Sequence, residues 1–123
     1  MISCFIFITS GISASTAGVL MSWDGVGIIS KASIQDFWGN GQLVHIVNNI
    51  TDAYNTNDDA IHAILSLRKY EWWGYTTAQI MHQYGKGTAS WTYSTGDDSN
   101  YYMYFQSYHS AYDNPLDMNG YIY

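Results

Sequence analysis

The chain has 123 residues, enough for one ordinary domain and too few for two. Hydrophobic residues make up 47% and charged residues only 11%, so the chain has the apolar content to fold and lacks the charge that disorder requires. Net charge is −6, and the four basic side chains, Lys31, Arg68, Lys69 and Lys86, leave everything after Lys86 purely acidic. A nucleic-acid partner needs a cationic face that releases counterions, and an anionic membrane needs the same. Neither suits this composition.

The N-terminus opens on an apolar run, Ile2 to Thr9, followed by small residues up to Gly18. This pattern resembles an export signal with a cleavage site near Ala17, and equally a first β-strand or a docking arm. Positions 1–17 are treated as a segment apart from a single α+β domain over 18–123. The run is too short to cross a bilayer as a helix, which takes about 20 apolar residues. The single cysteine, Cys4, excludes an internal disulfide.

Asp24-Gly25 between apolar runs is a two-residue hairpin signal, because both residues tolerate positive φ. It predicts strands at about 18–23 and 26–30. Ser33 with Asp36 reads as a helix start. Leu43, Val44, Ile46, Val47, Ile50, Ala53 and Tyr54 follow helical spacing. Asn55-Thr56-Asn57 caps a second helix whose first turn holds Asp58 and Asp59 and whose last turn holds Arg68 and Lys69. Thr76 or Thr77 would cap a short third helix ending at Gly85.

Past Lys86 the pattern alternates. Trp91 and Tyr93 mark a strand over 90–95, the run Gly96 to Asn100 a turn, and Tyr101 to Tyr112 a long aromatic strand. On that strand Tyr102, Tyr104 and Tyr108 share one face. Asp113-Asn114-Pro115 marks a turn before a short final strand. The expected fold is therefore α+β, an antiparallel sheet made of an N-terminal hairpin and a C-terminal aromatic meander, packed on two or three helices.

No catalytic signature stands out. There is no Gly-x-Ser-x-Gly elbow and no phosphate loop. None of His45, His62, His82 and His109 lies four residues from another, so no metal ligand set is legible and no cofactor is expected. Asp97-Asp98 and Asp117 to Gly120 resemble parts of calcium loops and read more simply as solvated turns. Glu71, the only glutamate, lies among aromatic rings, as a glycosidase acid would, with no identifiable second carboxylate.

The distinctive feature is aromatic content, with 12 Tyr, 5 Trp and 4 Phe. Rigid rings with one polar atom suit half-buried sheets and contact surfaces. Trp72, Trp73 and Tyr75 beside Gly74, and Tyr102, Tyr104 and Tyr108 on the aromatic strand, are the candidate ligand-binding residues. They point to an exported, non-enzymatic binding module that meets a glycan or a cell-envelope surface. A self-assembling surface or filament subunit is the second reading, since an apolar arm and a tyrosine-rich edge strand serve strand addition between chains. Trp91-Thr92-Tyr93 with Tyr104 to His109 resembles the Trp-x-Tyr and Tyr/His-rich pattern of lactococcin-type secreted bacteriocins without keeping its spacing. No functional residue carries over, and the resemblance implies only a secreted toxin as a third reading.

Overall fold

The computed structural model describes residues 18–108 and 114–123. Eight strands follow one another: β1 (Met21–Ile28), β2 (Ser30–Gly39), β3 (Leu43–Ala53), β4 (His62–Glu71), β5 (Gly74–Tyr84), β6 (Gly87–Ser94), β7 (Ser99–Ser107) and β8 (Leu116–Ile122). They form two four-stranded sheets with orders β1-β8-β3-β6 and β2-β7-β4-β5. Every pair is antiparallel.

Of consecutive strands only β4 and β5 are neighbours within a sheet; each other connection carries the chain from one sheet to the other. Two sheets interleaved in this order are the jelly-roll arrangement, an all-β sandwich. Its core is shared by both sheets. Met21, Val44, Ile46, Ile50, Met118 and Ile122 come from the first, and Phe37, Leu65, Leu67, Met103 and Phe105 from the second. Trp23 of β1 meets Phe105 of β7 across the sandwich with ring centroids 5.2 Å apart.

The expected α+β fold is thereby corrected. Among the described residues there is no α-helix, and the helical turn Asp58–Ala60 has three residues. The misreading has a physical source in β3. Its inward side chains, Val44, Ile46, Asn48 and Ile50, alternate strictly, but Leu43 and Val47 are apolar on the other face. Apolar residues on both faces fill in a helical spacing that the backbone does not follow. The same holds for β4, where Ala63, Leu65 and Leu67 point inward while Ile64 lies between them.

The Asp24-Gly25 hairpin is also corrected. Both residues lie inside β1, paired with Asn119 and Met118. Strands β1 and β2 belong to different sheets, and the positive φ falls on Gly27, at a register shift between Gly25 and Ile28. The long aromatic strand ends at Ser107, and the part of that expectation at 109–112 lies outside the described residues, as does His109. The expected strand at 90–95 and the turn before Tyr101 are present as β6 and the β6–β7 connection.

Candidate functional site

The turn that joins β4 to β5 holds Trp72 and Trp73, followed by Gly74. A strand pair connected by two residues must reverse sharply, and Gly74 adopts φ 150°, a value that side-chain-bearing residues rarely take. The hairpin thus presents both indoles at its tip. Trp72 is 95% exposed and Trp73 61%. Large apolar rings held in water by a tight turn are available to a partner.

Behind the tip, Arg68 of β4 lies between two tyrosines. Its guanidinium sits 4.0 Å from the centroid of Tyr75 and 3.9 Å from that of Tyr104. A cation between two rings fixes both, since each ring face attracts the positive charge. On the other face of the hairpin Glu71 accepts a hydrogen bond from the Thr76 hydroxyl at 2.9 Å and pairs with Lys69 at 3.7 Å. Glu71 therefore serves as a polar brace of the hairpin.

The six candidate residues divide. Trp72, Trp73, Tyr75 and Tyr104 lie on the hairpin tip and the Arg68 stack behind it. Tyr102 shares the face of Tyr104 but is buried and packs on Tyr70, centroids 4.6 Å apart. Tyr108 is exposed at the opposite end of β4, edge-on to His62 at 5.4 Å. Tyr102, opposite Arg68, thus belongs to the same cluster but offers little free surface, and Tyr108 does not join the tip.

Three residues that sequence reasoning passed over belong to this region. Arg68 was assigned to a helix end, yet it organises Tyr75 and Tyr104. Tyr70 is half exposed beside Tyr102, where burial and the nearby Asp36 raise its pKa above the ordinary tyrosine value. Trp38, on β2, is also exposed. A two-residue reversal at Trp72-Trp73 before glycine was the available signal for the hairpin.

Among the described residues no three His, Cys, Asp or Glu side chains are grouped to hold a metal ion. No helix among them is long and apolar enough to cross a membrane. No family model matches the chain, and no curated protein matches it.

Proposed function

We propose that the chain is a non-enzymatic binding module that takes a glycan on the β4–β5 hairpin tip, as part of an exported or surface-exposed protein. The observation that carries this reading is the pair Trp72 and Trp73, both exposed on a turn that fixes their position. An indole face covers the apolar C–H face of a sugar ring, and Lys69, Glu71 and Thr76, which share one face of the hairpin below the tip, carry polar groups suited to hydroxyls. Jelly rolls include lectin domains, which is an analogy of fold alone. The test is tryptophan fluorescence titrated with a panel of polysaccharides. Saturable quenching or a spectral shift that Trp72→Ala with Trp73→Ala removes, in a protein with unchanged far-UV circular dichroism, supports the reading. Unchanged binding in that variant removes the tip from it.

Self-assembly is kept as a second reading on one observation. The tyrosine-rich strand expected to be an edge, β7, lies instead between β2 and β4, so strand addition would fall to the outer strands, β2 and β5 of one sheet and β1 and β6 of the other; on β5 Ile80 and Tyr84 are exposed. Sedimentation of the purified protein separates a monomer from a polymer.

A further inference from the structure

We propose that His62 and His82 form a two-imidazole site for a divalent transition-metal ion such as Cu²⁺ or Zn²⁺. The two residues belong to adjacent antiparallel strands, with His62 opposite Tyr84 and His82 opposite Ile64 in the β4–β5 register. His62 Nε2 lies 2.9 Å from His82 Nδ1. Two ring nitrogens that close can share one proton, or, when both are deprotonated and turned outward by a small χ change, can present two lone pairs to one ion. Imidazole is the side chain that suits copper, zinc and nickel, and carboxylates would suit harder ions instead.

Tyr84 stacks on the His62 ring at 4.3 Å and Tyr108 meets its edge at 5.4 Å, so the ring is held on both sides. The His82 side of the pair is open to solvent, which leaves the remaining coordination positions to water. Two protein ligands make a weaker site than the three or four of a resident metal centre. The site is therefore of an exchangeable kind, and it stands apart from the Trp72-Trp73 tip, at the other end of the same hairpin.

The experiment uses the full chain, stripped with a chelator, with Cu²⁺ and separately Zn²⁺ added in isothermal titration, and Cu²⁺ spectra recorded by electron paramagnetic resonance. One equivalent bound with nitrogen hyperfine structure from two imidazoles is expected. His82→Ala should weaken binding at least tenfold, and His45→Ala, which alters a histidine stacked on Tyr123 elsewhere, should leave it unchanged. No saturable binding, or equal binding in His82→Ala and the parent with His45→Ala weakened instead, overturns the proposal.

Discussion

The Trp23 indole N–H donates to Asn48 Oδ1 at 2.9 Å, in the interior of the sandwich. The Asn48 amide in turn donates to Gln83 Oε1 at 2.9 Å, and the Gln83 amide donates to the carbonyl of Gly87 at 2.8 Å. Asn48 is wholly buried and Gln83 nearly so. This polar line starts on β1, passes through β3 and reaches β5, so it ties the first sheet to the second. Replacing Asn48 by Leu would take the acceptor from the Trp23 N–H and the donor from Gln83 Oε1. A buried group left unpaired costs about 1–3 kcal/mol. Asn48→Leu is expected to lower the midpoint of urea unfolding by an amount in that range, and an unchanged midpoint would show the line to be dispensable.

Gly120 lies opposite Asn48 on β8 and has no room for a side chain. A Cβ there would come within 2.1 Å of the Val47 carbonyl oxygen and 2.6 Å of the Trp23 ring. The carbonyl belongs to the backbone of β3, so it cannot yield cheaply. Gly120→Ala is expected to destabilise the protein by more than Asn48→Leu does. Thermal unfolding of the two variants side by side compares them directly.

Gly74 makes a different case. Nothing lies within 4 Å of a Cβ built on it, but its φ of 150° is one that other residues rarely adopt. Gly74→Ala should cost about 1–3 kcal/mol through backbone strain alone. If the glycan reading holds, it should also weaken sugar binding, because the turn that presents Trp72 and Trp73 relaxes. Unfolding and titration of the same variant separate the two effects.

His62 gives the pH dependence. Its pKa is lowered in the folded state, so the folded protein binds fewer protons there than the unfolded chain does once the pH approaches 6.5. That part of the stability is present above the unfolded value and is lost as the pH falls through it towards the lower folded value. Unfolding midpoints measured from pH 8 down to pH 5 should decline, and the decline should be smaller in His62→Gln. A slope identical in both proteins would remove His62 from the account.

Much of the fold escaped the sequence for reasons visible in β3 and β4. Inward and outward faces are both apolar there, and period-two alternation is then hidden beneath a spacing that also fits a helix. Strand β6 was legible because Trp91 and Tyr93 alternate with polar residues, and β7 because its aromatic run follows a turn cluster, whereas Asp117 to Gly120, expected as a turn, lie within β8. The exposure of Trp72, Trp73 and Tyr75 at a chain reversal was also legible, since bulky rings beside glycine mark a tight reversal whatever the flanking elements are. Its partner Arg68 was not, because a cation between two rings depends on the strand register of β4 with β5 and β7, which no local pattern shows.

The most direct measurement of the central claim is the fluorescence titration of the full chain against polysaccharides, run in parallel with the Trp72→Ala, Trp73→Ala double variant. The account predicts saturable binding in the parent and its loss in the variant, with the fold retained. Binding of equal strength in both would place the ligand surface elsewhere and contradict the account.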